Sequence, residues 1–150
     1  MKILKTVALI LLVSFVSIQF IPTERNQSEV VPETDFLLVN NTPKKISKLV
    51  QVSCYDCHSN NTKYPWYNKI QPAAWFLEDH IKEGKEELNF SEWNRLSNRR
   101  KNSKLKSIIS QIKDEEMPLF SYTLIHGDAV FSASEKDLVI DYMKGLKDSL

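Results

Sequence analysis

The chain has 150 residues, of which 42% are hydrophobic and 26% are charged, and its 20 lysines and arginines nearly balance its 19 acidic residues. A formal net charge of +1 gives no general electrostatic footprint for nucleic acid, so we expect no nucleic-acid partner. The chain contains only three glycines, and no segment shows a convincing strand-like alternation of apolar and polar residues. The composition therefore favours an all-α domain.

The N-terminus begins with a short basic region, Lys2 and Lys5, followed by a mostly apolar stretch that ends at Ile21. This order is typical of a signal peptide or a signal anchor, and the absence of a small-x-small cleavage pair favours an uncleaved transmembrane anchor over residues 1–22. The positive-inside tendency places the two lysines in the cytoplasm. We therefore expect the rest of the chain on the periplasmic or extracytoplasmic side of the membrane.

Residues 23–43 are mostly polar, with a brief apolar patch at 36–39, and they contain Pro32 and end at Pro43. Such a segment is predicted to be a tether. Residues 44–150 remain for one domain, which is long enough to bury a modest core.

Four helical segments are predicted within this domain. The spacing of Ile46, Leu49 and Val50 indicates a helix that leads into residues 54–58. A second helix is predicted from Pro72 to about Leu88, and Gly84 is expected to bend or end it.

Two further helices follow. Ser91 is predicted to cap a segment that continues through the basic run from Arg95 to Lys106 and ends before Met117 and Pro118. A capping box formed by Ser132 and Glu135 predicts the start of the last helix. The apolar residues of that helix recur at helical spacing, and they are Leu138, Val139, Tyr142, Met143 and Leu146.

The most specific pattern in the chain is the pentapeptide Cys54-Tyr55-Asp56-Cys57-His58, which contains both cysteines. In a CxxCH motif each thiol can add to one vinyl group of a haem, and the following histidine is then held against the iron. The motif predicts one covalently attached haem c, with His58 as the proximal iron ligand. On a helix, cysteines three residues apart lie on one face.

Two other uses of the cysteines are less favoured. A structural zinc site would have to recruit His80 or His126, because the chain has no second CxxC pair. A thiol-disulfide oxidoreductase of the thioredoxin type needs a βαβ context, whereas the residues before Cys54 are lysine-rich with a helical rhythm.

The residue on the other side of the iron determines whether the haem carries electrons or reacts with a substrate or gas. Met117 is the favoured distal ligand, because Pro118 imposes an extended backbone on it and a loop methionine can point its thioether at a metal. Met143 is interpreted as a core residue of the last helix. His80 is the alternative distal ligand, and His126 lies in a turn. A ligated iron favours an electron carrier over an enzyme.

An open distal site would instead indicate a haem enzyme or a sensor of redox state or diatomic gas, with His80 or His126 acting in the pocket. Tyr64, Trp66 and Trp75 are candidates to wall the porphyrin or to donate hydrogen bonds to its propionates. The basic run predicts a solvated helix face, and docking of an acidic redox partner is the alternative.

These motifs together resemble the small bacterial haem-binding domain family, which is related to c-type cytochromes. The likeness spans about residues 46–142 and rests on the CxxCH motif, Trp75 and His80, the hexapeptide LNFSEW at 88–93, Met117-Pro118, and Tyr122 and His126. The resemblance implies a cytochrome c-like helical domain around one haem c, an N-terminal anchor and extracytoplasmic electron transfer. It names no donor or acceptor protein.

Overall fold

The computed structural model describes residues 1–28 and 30–150. Within those ranges every named element is helical, and an isolated bridge between Gln27 and Asn61 is the one strand-like pairing. The α-helices are α1 (Lys2–Ile18), α2 (Phe36–Val39), α3 (Lys44–Val50), α4 (Asp56–His58), α5 (Ala73–Glu87), α6 (Asn98–Lys113), α7 (Phe120–Thr123) and α8 (Ala133–Asp148). A π-helical turn (Gln51–Tyr55) joins α3 to α4, and three 3₁₀ helices span Trp66–Lys69, Phe90–Arg95 and Gly127–Ala129. The prediction of an all-α fold is confirmed.

Helix α1 carries the apolar N-terminal stretch, and none of its 17 residues is buried. In the described part of the chain, no helix combines the length and the apolar character needed to cross a bilayer. The end of α1 is joined to the rest of the protein by a reciprocal pair of amide hydrogen bonds. The Gln71 backbone N–H donates to Gln19 Oε1 at 2.9 Å, and Gln19 Nε2 donates to the Gln71 carbonyl at 3.1 Å.

The segment predicted as a tether lies against the domain. The Asn26 backbone N–H donates to the Tyr64 hydroxyl at 2.7 Å, the Asn26 amide donates to the Ser59 carbonyl at 2.8 Å, and the Thr62 N–H donates to the Asn26 carbonyl at 3.0 Å. Phe36 is completely buried in the core. The core therefore begins before residue 44, and the predicted tether also includes residue 29, which lies outside the described residues.

Aromatic packing forms the centre of the core. The ring of Phe36 meets Trp93 edge-on, with centroids 5.0 Å apart, and lies 5.0 Å from Phe90. Such tilted and edge-on pairs add to the gain from burying apolar area. Helix α8 packs against both α3 and α6 and contributes Met143, which is 1% exposed. The prediction that Met143 is a core residue is confirmed.

The predicted capping box is also confirmed, since Ser132 Oγ accepts from the Glu135 N–H and the Glu135 carboxylate accepts from the Ser132 N–H. Two other predicted helix signals are corrected. Ser91 caps no helix: Asn89 accepts from the Ser91 N–H at the start of the 3₁₀ segment, and Ser97 caps α6. Helix α5 runs through Gly84 to Glu87, so the glycine does not end it.

Helix α6 stops at Lys113, before the predicted end near Glu116. The cause is a left-handed residue, Glu115 at φ 59°, after which the Glu116 N–H donates back to the Gln111 carbonyl at 3.0 Å. This six-to-one hydrogen bond is the Schellman type of helix end. The turn, rather than Pro118, therefore ends the helix.

A buried carboxylate precedes α2. Asp35 is 2% exposed; its Oδ1 accepts from the Leu37 N–H at 2.9 Å and from the Tyr55 hydroxyl at 3.0 Å, whereas its Oδ2 has no partner. Burial raises the pKa of this carboxyl above its ordinary value. The folded protein thus holds a proton on Asp35 more tightly than the unfolded chain does, and stability falls as pH rises through the interval between the two pKa values.

We expect Asp35→Asn to raise the free energy of unfolding at pH 7 relative to its effect at low pH, because the amide keeps the Oδ1 acceptor without the buried charge. The gain should shrink toward pH 3.8, the ordinary pKa of the group, and below. Urea unfolding at a series of pH values measures it. Asp35→Ala serves as the comparison, because it removes the acceptor as well and should destabilise the protein throughout. A gain for Asp35→Asn that does not change with pH would contradict the argument.

Candidate functional site

The CxxCH motif lies at the end of a continuous helical segment that changes its winding. Cys54 is in the π-helical turn, and Cys57 and His58 are in α4. The prediction that the motif is carried on a helix is confirmed. Beyond His58 the backbone becomes extended at Ser59, and the Thr62 hydroxyl donates to the Asp56 carbonyl at 2.6 Å. The helix end is thereby fixed directly behind the motif.

The imidazole of His58 is oriented by the backbone of α5 and the residue after it. Its Nδ1 lies 2.7 Å from the Gly84 carbonyl oxygen and 3.0 Å from the Leu88 carbonyl oxygen. Because carbonyls only accept, Nδ1 carries the proton and the neutral ring keeps its lone pair on Nε2. Burial lowers the pKa of His58, and the two carbonyls counteract this in part. The ring is therefore prepared to bind a metal through Nε2.

Gly84 lets α5 approach the motif closely. A Cβ built on Gly84 would lie 2.8 Å from the Cys57 carbonyl oxygen and 3.2 Å from the Cys57 Cβ. Any side chain at this position would push the two helices apart. Gly84 therefore has two roles: it has no side chain to separate the two helices, and its carbonyl orients His58.

Two adjoining cavities of about 290 and 320 Å³ open beside the motif. Together they form one cleft, because the linings of both include Ser53, Cys54, His58, Glu87 and Met117. Each alone is near the lower limit of small-molecule pockets, and the two together are well within that range. Apolar side chains supply much of the wall, among them Leu88, Phe90, Ile108, Ile112 and Leu119.

The cleft brings together five of the residues selected from the sequence, namely Cys54, Cys57, His58, His80 and Met117. Met117 is half-buried and follows the Schellman turn of α6, with its N–H donating to the Gln111 carbonyl at 3.2 Å. His80 lines one of the two cavities, near Cys57 and Met117. It lies on α5, one turn before the glycine that supports His58, and its Nδ1 is 2.8 Å from the Phe76 carbonyl oxygen.

The three aromatic candidates lie elsewhere. Trp75 lines a separate groove with Asn26 and Lys85, and Trp66 is 74% exposed. The hydroxyl of Tyr64 accepts from the Asn26 backbone N–H. None of the three is among the described residues that line the cleft.

His126 is also outside the cleft. Its Nε2 lies 3.1 Å from the Tyr67 hydroxyl, and its ring stacks on Tyr122 with centroids 4.3 Å apart. Tyr122 in turn donates to the Asp56 carboxylate at 2.8 Å, which ties α7 to the motif.

The residues that form one wall of the cleft were not predicted from the sequence. Helix α6 contributes Lys104, Ser107, Ile108, Gln111 and Ile112. Of these residues only Lys104 belongs to the basic run that predicts a solvated face, and the helical spacing of Lys104, Ile108 and Ile112 was the available signal that this face is shared.

The thiols are strongly protonated in this environment. Burial raises the pKa of Cys54 to about 12 and that of Cys57 to about 11. Dithiol oxidoreductases depend on a cysteine whose pKa is lowered. The electrostatics of the pair are the opposite of what that chemistry requires.

The donor set fits a haem, with two thiols for the vinyl groups, an oriented imidazole, a thioether and an apolar cleft between them. No curated protein and no solved structure matches the chain significantly. The model of a family described as the haem-binding domain matches residues 13–145. The chain therefore belongs to the haem-binding domain family, which confirms the resemblance and makes haem its cofactor.

Proposed function

We propose that the chain carries one haem c attached through thioether bonds to Cys54 and Cys57, and that it transfers single electrons. The observation that carries the proposal is the shared cleft of both thiols and His58, with Nδ1 of His58 held by two carbonyls. Each thiol would add across one vinyl group, so that the S–H bond is replaced by a C–S bond and the hydrogen goes to the other vinyl carbon. When bound, haem supplies a one-electron Fe(III)/Fe(II) couple.

Met117 is proposed as the distal iron ligand. It lines both cavities, whereas His80 lines one and lies on the helix whose backbone supports the proximal histidine. Met117 therefore borders more of the cleft than His80 does. Thioether ligation would raise the reduction potential and close the iron to substrates.

A haem enzyme or gas sensor with an open distal position is the second candidate. It is favoured by the presence of His80 in the cleft wall, because Nε2 of this ring is left available when Nδ1 bonds the Phe76 carbonyl. Rapid binding of carbon monoxide to the reduced protein would support this candidate, and slow or absent binding would support the electron carrier.

The N-terminal helix is proposed to direct the chain to the membrane and to keep the haem domain on its extracytoplasmic side. Lys2 and Lys5 precede it, and its apolar side chains are open to solvent, with Leu9 60% and Leu11 65% exposed. Membrane fractionation combined with N-terminal sequencing distinguishes a retained anchor from a cleaved signal, and a chain with an intact N-terminus in the cytoplasmic fraction would contradict both.

Covalent attachment is tested by expressing the full chain with a haem-attachment system. We expect a pyridine haemochrome spectrum that survives denaturation and a mass increased by one haem. The double variant Cys54→Ser/Cys57→Ser should show the bare polypeptide mass. A wild-type protein that releases all its haem on denaturation would contradict the proposal. A redox titration of the loaded protein should then fit a single one-electron step.

A further inference from the structure

We infer that Lys104 binds a propionate carboxylate of the haem, so that the propionate edge faces α6. Haem carries two propionates, and a carboxylate placed in an apolar cleft needs a cation or several hydrogen-bond donors. This inference deepens the proposed function, because it assigns a further residue and an orientation to the same site.

The distribution of charge in the cleft supports this orientation. Lys104 is the only lysine or arginine among the described residues that line either cavity. The other cavity, beside α5, is bordered by Asp56 and Glu83, which do not line the α6 cavity and would repel a carboxylate, whereas Glu87 lines both cavities. A dianionic edge is therefore favoured on the α6 side and disfavoured on the α5 side.

The ammonium of Lys104 is available for a new partner. Its ion pair with Glu87 is long, at 3.7 Å, and the Glu87 side chain is 85% exposed, whereas that of Lys104 is 33% exposed. A pair of this kind contributes little, because solvent screens it and two long side chains must be ordered. A ligand carboxylate in the cleft can replace Glu87 at small cost.

Helix α6 also supplies neutral donors beside the cation. Ser107 and Gln111 follow Lys104 by three and seven residues, so all three lie on one face, and all three line the same cavity. Their hydroxyl and amide groups can donate to carboxylate oxygens. Ile108 and Ile112, each one residue after a member of this polar row, add apolar surface to the same cavity. The face thus combines a polar row for carboxylates with an apolar row for the macrocycle.

The test compares ferric haem with its dimethyl ester, in which both propionates are uncharged. The full-length chain, produced without attachment machinery, is titrated with each form, and the ratio of the two dissociation constants is measured. We expect wild type and Lys104→Arg to prefer the free acid by roughly fivefold or more, as for a partly screened ion pair. Lys104→Gln should reduce the preference below about twofold. Lys106→Gln is the matched control, since it removes an exposed charge on the same helix.

A wild-type ratio in Lys104→Gln would overturn the inference, and so would a wild-type chain that binds both forms equally. An equal loss of the preference in Lys106→Gln would also overturn it, because the effect would then be one of general charge. The titration needs no thioether bond. Its failure is therefore separate from failure of covalent attachment, which is measured by the mass of the exported protein.

Discussion

Replacing Met117 by alanine is expected to abolish the sulfur-to-iron absorption band near the red end of the spectrum of the oxidised protein. The reduction potential should fall, by on the order of 100 mV, because the thioether favours the ferrous state. The reduced variant should also bind carbon monoxide rapidly. Optical spectroscopy and a redox titration of the loaded protein measure these effects.

Met143→Ala is the matched control. This methionine is 1% exposed in the core beside α6, and it does not line the described cleft. Its truncation should cost about 2–5 kcal/mol of stability and leave the spectrum intact. Met117 is only half-buried, so Met117→Ala should lose little stability and should change the spectrum. An unchanged spectrum in Met117→Ala would contradict the assignment of Met117 and would indicate either His80 as the distal ligand or an open iron.

Gly84→Ala is expected to destabilise the protein and to reduce haem incorporation severalfold. The new Cβ would meet the Cys57 backbone at 2.8 Å, so either α5 or the motif must move, and the Gly84 carbonyl would withdraw from His58. Forcing an atom into such a contact costs about 1–3 kcal/mol. This cost should exceed the gain of up to about 1 kcal/mol that alanine brings to a helix interior. Chemical denaturation and haem content per polypeptide are the measurements.

Gly145→Ala is expected to have the opposite effect on stability. Gly145 lies inside α8, and a Cβ added there meets nothing within 4 Å. This variant should be stabilised by about 0.5–1 kcal/mol and should bind haem normally. Equal stabilisation of both variants would contradict the close approach of α5 to the motif.

Features set by neighbouring residues were predicted well from the sequence. The capping box of α8 requires only Ser132 and Glu135, and the CxxCH motif specifies its chemistry within five residues. Phe36 was assigned to a tether because its helix has four residues, too few to show a period. Its burial depends on Trp93, which is distant in the sequence.

The site was predictable only in part for the same reason. The motif identifies its own ligands, but the opposite wall comes from α6, and no local pattern states which helix will lie across from residue 58. Gly84 was predicted to bend or end its helix because propensity scales describe isolated helices. Its role arises from contact with Cys57, which is a tertiary event. Tyr64, Trp66 and Trp75 were selected because they follow the motif closely in the sequence. In the folded chain they lie outside the cleft.

The hydrogen bonds between Gln19 and Gln71, and those that hold Asn26 to the loop after His58, give the N-terminal helix a defined bearing on the domain. A domain that is joined to its N-terminal segment by an unstructured linker can reorient relative to that segment. In this protein the hydrogen bonds restrict that motion, so we expect the N-terminal helix and the haem-binding domain to reorient together as one unit.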